Sequence, residues 1–145
     1  MTFVESIQTC IQKYFVFTGR ASRSEFWWFA GFRALINTMQ LGKHPVLEGV
    51  FMIISLALVI PMMSVASRRL HDIGRSGWWQ ALIIIPLIMM IIGMYLALVP
   101  QPVSDMVVVA VGVGGVLSLI IFIWLIVWFA KKGNEGENRF GPTPL

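Results

Sequence analysis

Four apolar stretches, Phe26–Leu41, Val46–Ala66, Trp78–Val99 and Val103–Ala130, alternate along the chain with short polar segments. A helix needs about 20 mostly apolar residues to cross a bilayer, so the last three stretches are adequate and the first is short. The pattern predicts an all-α membrane protein of four transmembrane helices, in a single domain over residues 1–145. Ahead of the first stretch, Phe3, Val4, Ile7, Cys10, Ile11, Tyr14 and Phe15 fall on one face of a helix, with Glu5, Gln8, Gln12 and Lys13 on the other. This predicts an N-terminal amphipathic helix within a segment 1–25, either lying in the membrane interface or packed against the bundle. Gly19 ends that element. The S-x-x-E spacing of Ser22 and Glu25 then predicts a capping box at the start of the first membrane helix.

Interruptions and anchors follow the same frame. Pro61 and Pro86 each remove a backbone hydrogen bond and are expected to kink the second and third helices, with neighbours satisfying the freed carbonyls. The six Trp residues, 27, 28, 78, 79, 124 and 128, gather toward one end of their helices, as indoles do at a headgroup boundary. Trp124 lies deepest and is expected inside the bundle. On the last helix Ala110, Gly114 and Ser118 repeat at four-residue spacing, with Gly112 and Gly115 beside them, so another helix can approach closely. That helix is expected to come from the same chain.

Charge fixes the orientation. Nine of the eleven Lys and Arg residues lie in residues 1–25, 66–77 and 131–145, against Lys43 alone in the connections on the other side. By the positive-inside rule both termini and the 66–77 loop face the cytoplasm, which makes this a multi-pass protein with both ends inside. At 57% hydrophobic and 12% charged residues the chain is too apolar for a water-soluble domain. A net charge of +4 suggests nucleic acid in a soluble protein. Here the basic residues flank the apolar runs, where topology and attraction to anionic lipid account for them, and no nucleic-acid partner is expected. The first 25 residues lack a basic start followed by an apolar core, so no cleavable signal peptide is expected. One cysteine, Cys10, allows no intramolecular disulfide.

Nearly all the polar chemistry sits in three segments. They read Tyr14-Phe-Val-Phe-Thr-Gly-Arg-Ala-Ser-Arg-Ser-Glu-Phe-Trp-Trp28, Arg68-Arg-Leu-His-Asp-Ile-Gly-Arg-Ser-Gly-Trp-Trp79 and Gly133-Asn-Glu-Gly-Glu-Asn-Arg-Phe-Gly-Pro-Thr-Pro144. These resemble the DUF805 family of small bacterial inner-membrane proteins. Its hallmarks are an F-x-G-R-x-S-R-x-E-F-W opening, an R-R-L-H-D-x-x-R-S-x-W-W loop and a G-x-N-R-F-G-P-x-P tail. The resemblance runs from about Tyr14 to Pro144 in order and spacing. It implies four membrane helices, cytoplasmic termini and a bacterial inner-membrane location, and it supplies no catalytic residues. Arg33 departs from it, since an uncharged polar residue is expected there.

From the residues alone, Arg20, Arg23, Arg68, Arg69, Arg75 and Arg139 form a candidate site for an anion or a protein partner, with Glu25 and Asp72 as candidate ion-pair partners. Surplus guanidinium groups can hold phosphate or carboxylate bidentately. The competing reading is an ion-paired cap that locks the helices, and the two can coexist. His71 and Asp72 suggest general-base chemistry, but no nucleophile motif accompanies them. A His bonded to a backbone carbonyl is the simpler expectation. With only His44 elsewhere, no metal shell can be completed, and no cofactor motif is present. Arg33, Asn37 and Gln40 draw a polar stripe on the first membrane helix. The expected function is therefore non-enzymatic: an integral membrane protein whose Arg-rich cytoplasmic face binds a partner protein or an anionic lipid headgroup. The alternative is a subunit of a small homo-oligomeric channel or transporter lined by the stripe.

Overall fold

A computed structural model describes residues 1–39, 45–98 and 105–144. The described residues are helical apart from turns and one isolated bridge, Asn138 to Gly141. Helix α1 is Phe3–Gln12, α2 Arg23–Met39, α3 Pro45–Ala57 and α4 Val59–Asp72. A 3-10 segment, Gly77–Ile83, leads into α5, Ile84–Leu98, and α6 is Asp105–Ala130. Three stretches, Val46–Asp72, Gly77–Leu96 and Val111–Ala130, are long and apolar enough to cross a membrane. Helix α2 has 17 described residues, and the end of the expected first span, Gln40 and Leu41, lies outside the described residues.

The chain divides into two compact units, residues 1–78 with 129–145, and residues 79–128. In the first, α1 packs on α2 and α4 around a core of Cys10, Ala21, Phe26, Phe29, Leu58, Val65 and Ala66. The Phe26 ring stacks on Phe129 with centroids 4.3 Å apart. Of the two settings open to α1, the structure has it packed against its own chain, through Ser6 and Cys10. Its N-terminus carries a capping box that the sequence reading did not single out, between Thr2 and Glu5. The Thr2 backbone N–H donates to the Glu5 carboxylate at 2.8 Å and holds its pKa below the ordinary value.

Pro61 explains the break between α3 and α4. It has no N–H to give the carbonyl of Ala57, four residues earlier, and the helix turns at Leu58. The orphaned Ala57 carbonyl accepts the Tyr14 hydroxyl at 2.5 Å. Helix α4 then runs on to Asp72, six residues past the expected end of the span at Ala66. It stops at Gly74, whose φ of +73° suits a residue without Cβ. There Arg75 N–H bonds to Leu70 O and Gly74 N–H to His71 O, a Schellman cap.

In the second unit the interruption near Pro86 takes the form of the switch from 3-10 to α-helix just before it, so Pro86 sits in the first turn of α5, where a missing N–H costs little. Helix α6 meets α5 closely at Gly114, where an added Cβ would collide with Met89, and the Ser118 hydroxyl donates to Gly114 O at 2.7 Å. Trp128 rather than Trp124 is the buried indole. Trp128 lies on the same helical face as the buried Ser118 and Leu125, and Trp124 falls off that face.

Candidate functional site

The three polar segments meet in one buried cap, and Asp72 is its hub. Being the last residue of α4, Asp72 points its carboxylate past the helix end toward the chain entering α2 and the chain leaving α6. Its Oδ1 accepts Arg20 Nε at 2.9 Å and pairs with Arg20 Nη2 at 2.8 Å, a two-pronged contact. Its Oδ2 pairs with Arg69, one turn back on the same helix. The Asp72 backbone carbonyl accepts the Asn134 N–H at 2.8 Å, and Gly133 lies so close that a Cβ there would strike the carboxylate.

Two arginines against one carboxylate leave a positive charge, and main-chain carbonyls absorb it. Arg20 donates to Gly136 O at 2.6 Å, Asn134 O at 2.6 Å and Gly141 O at 3.3 Å. Arg69 donates to Phe129 O at 3.0 Å and to Lys131 O, at the C-terminal end of α6, where unpaired carbonyls and the helix dipole both favour a cation. Both side chains are thus committed inward rather than held out for a phosphate.

A second buried pair lies beside the first. Arg68 Nη1 donates to Glu25 Oε1 at 2.5 Å, while Arg68 Nε and Nη2 have no partner among the described residues. Glu25 also accepts the Ser6 hydroxyl on its backbone carbonyl, at 2.6 Å, so α1 is tied to the same turn. The capping box expected at Ser22 is half made: Glu25 N–H donates to Ser22 Oγ at 3.2 Å, but the Glu25 carboxylate goes to Arg68 instead of returning to the cap. Cys10 Sγ lies 3.9 Å from Glu25 Oε1, and burial first, then the Glu25 charge, push its thiol up to about 12. This buried, protonated thiol is no nucleophile and no reporter for a surface reagent.

His71 bonds a backbone carbonyl, as the simpler expectation had it. Its Nδ1 is 3.0 Å from Gly19 O, and its ring stacks on Phe140 at 4.0 Å, nearly parallel. Asn138 donates to His71 O at 3.0 Å, and Arg139 lies over the Phe140 ring while donating to Gly74 O at 3.2 Å. The Asp72 carboxylate belongs to Arg20 and Arg69, so the two neighbours do not form a catalytic pair.

The remaining arginines differ from these. Arg23, Arg75 and Arg139 are exposed. Among the described residues Arg23 donates to Ala130 O alone, at 3.5 Å, and it borders an open cavity of about 480 Å³ lined by Arg23, Ser24, Trp27, Trp28 and Ala130. In the polar stripe, Asn37 Oδ1 accepts the Ser55 hydroxyl of α3 at 2.6 Å, so that side chain is used within the chain. Arg33 is half-buried with Nε unpartnered among the described residues, and Gln40 lies outside them.

Sequence reasoning grouped Arg20, Arg68, Arg69, Asp72 and Glu25 but missed Asn138 and the carbonyls that complete the cap. It also missed Tyr14 and Gly133, although each stands at the edge of a quoted segment. A hydroxyl one helix away from an orphaned carbonyl, and a glycine two residues past a helix end, were the available signals.

Such an assembly defines a class: a small helical membrane protein whose polar end is closed by buried Arg–carboxylate pairs and a folded-back tail. Within that class the chain belongs to the family described as "Protein of unknown function (DUF805)", whose model it matches over residues 14–142. It is 32% identical over 138 residues to the inner membrane protein YhaI of Escherichia coli K12, covering 92% of this chain and 90% of that one. The inner membrane protein YhaH of the same strain is 32% identical over 143 residues, 92% and 91% of the two chains. The protein YiiR of that strain is 34% identical over 139 residues, 92% and 88%. No solved structure matches it.

Proposed function

We propose that this is a non-enzymatic integral protein of the bacterial inner membrane, crossing four times with both termini in the cytoplasm, whose cytoplasmic face binds anionic lipid headgroups. The inner membrane relatives YhaI and YhaH support the location, and three long apolar stretches support the multi-pass arrangement, with α2 as the fourth crossing. The observation that carries the binding reading is the division of the basic residues. Arg20, Arg68 and Arg69 are buried and spent on carboxylates and carbonyls, while Arg23, Arg139, Lys131 and Lys132 are exposed. Each basic group near an anionic leaflet contributes roughly 1 kcal/mol, lost as salt rises.

The test compares purified protein in nanodiscs of phosphatidylcholine with and without phosphatidylglycerol, reading thermal stability and lipid retention at low and high salt. Stabilisation by the anionic lipid that fades with salt supports the proposal; indifference to lipid charge refutes it. Orientation is read separately, on a Cys10→Ser background with cysteine introduced as Glu137→Cys in the exposed tail. An impermeant thiol reagent should label it in inverted vesicles and not from the periplasmic side.

A further inference from the structure

We propose that Arg23, Ser24, Trp27, Trp28 and Ala130 form a seat for one anionic phospholipid, with the phosphate on Arg23 and the glycerol and upper acyl chains against the two indoles. This rests on the headgroup reading above and gives it an address. Residues four apart share a helix face, so Arg23 stands over Trp27 and Ser24 over Trp28 on α2. The face therefore carries a polar row one turn, about 5.4 Å, outside an aromatic row. A phospholipid at the headgroup boundary has the same order, a charged phosphate followed by ester carbonyls and hydrocarbon. Both indoles are exposed, at 42% and 48%, and neither N–H has a protein partner among the described residues, which leaves two donors for ester oxygens.

Charge points to an anion. Arg23 and Arg69 converge on neighbouring carbonyls at the end of α6, Arg23 on Ala130 and Arg69 on Phe129 and Lys131. Arg20 and Arg69, both turned inward, share the Asp72 carboxylate, and Arg23 has no ion pair with a carboxylate among the described residues. Among the described residues no acidic side chain lines the cavity, and Arg23 makes one hydrogen bond there, at the long limit of 3.5 Å. A phosphodiester would take the donors that Arg23 leaves open, bidentately. The volume of about 480 Å³ is that of a small-molecule site and suits a headgroup and glycerol, the acyl chains continuing into the bilayer.

Native mass spectrometry of the full chain in detergent, with added phosphatidylglycerol or phosphatidylcholine, tests this. The wild type should retain one phosphatidylglycerol in preference. Arg23→Gln, and separately Trp27→Ala with Trp28→Ala, should each weaken retention about tenfold, some 1.4 kcal/mol. Gln8→Ala, an exposed and uncharged position on α1, should leave retention unchanged, and circular dichroism should read the same helix content in all variants. A phosphatidylglycerol preference that survives both the arginine and the tryptophan changes overturns this seat while leaving the headgroup reading intact. Equal retention of the two lipids by the wild type overturns both. Occupancy by inorganic phosphate in competition with lipid, insensitive to the tryptophan change, identifies a free-phosphate site and overturns the lipid seat.

Discussion

Asp72→Asn removes one charge and keeps the shape of the side chain. In the native cap Asp72 holds two arginines, with side-chain exposures of 5% for Asp72, 1% for Arg20 and 0% for Arg69. Losing one partner of a buried pair costs about 3–5 kcal/mol, chiefly because the other charge stays buried without compensation. Two features place this substitution near the lower bound. The amide oxygen can still accept one guanidinium N–H, and the carbonyls of Gly136, Asn134, Phe129 and Lys131 still hold both arginines. A loss of about 3 kcal/mol is expected. Equilibrium unfolding in mixed micelles with increasing dodecyl sulfate, followed by circular dichroism, measures it. Glu135→Gln serves as the reference, because its pair with Lys132 is exposed and worth about 0–1 kcal/mol. Limited proteolysis should in parallel cut residues 131–145 sooner in Asp72→Asn. If Asp72→Asn unfolds within about 1 kcal/mol of wild type and its tail stays protected, the cap is not held together by its charges.

Glu25→Ala should cost about 3–5 kcal/mol, because Glu25 is the only hydrogen-bond partner of the buried Arg68 guanidinium among the described residues; the same unfolding assay reads it. Gly133→Ala should match Asp72→Asn in loosening the tail, since its Cβ would meet the Asp72 carboxylate, and proteolysis reports it. Cys10 should resist maleimide in the folded protein and react on unfolding in dodecyl sulfate, because its thiol is buried and pushed up to about 12. The sign for stability follows: the protonated thiol is the favoured form, so its contribution is complete below the ordinary thiol pKa near 9 and is lost as pH rises toward 12. Glu5 runs the other way, its lowered pKa adding stability above the ordinary carboxylate value that fades on acidification, and Glu5→Gln, which has no carboxylate to titrate, should remove that dependence.

Three long apolar stretches were legible because length and hydropathy mark them out, whereas the short first one is not. What was hidden is informative. Helix α6 is apolar on every side, so no amphipathic signal separates Trp124 from Trp128, and only the phase shared with Ser118 and Leu125 identifies the buried one. The Ser22 box looked complete because local spacing satisfied it, yet a buried guanidinium 43 positions away outbid the cap for the Glu25 carboxylate. A charge count over the three segments left arginine in excess and suggested a bound anion at all six. Backbone carbonyls are absent from any such count, and they are what Arg20 and Arg69 use. Tyr14 shows the same blindness, since the acceptor it serves exists only because Pro61 cannot donate.

The most direct test of the cap is a double-mutant cycle between Arg20 and Asp72, which lie 52 positions apart in sequence and touch at 2.9 Å. Arg20→Ala, Asp72→Ala and the double variant, unfolded under identical micelle conditions, give the coupling energy free of each residue's other contacts. A buried two-pronged pair predicts a coupling between about 0.5 and 3 kcal/mol, toward the upper end. Additivity within about 0.3–0.5 kcal/mol would mean that the opening segment and the α4 terminus do not meet as described.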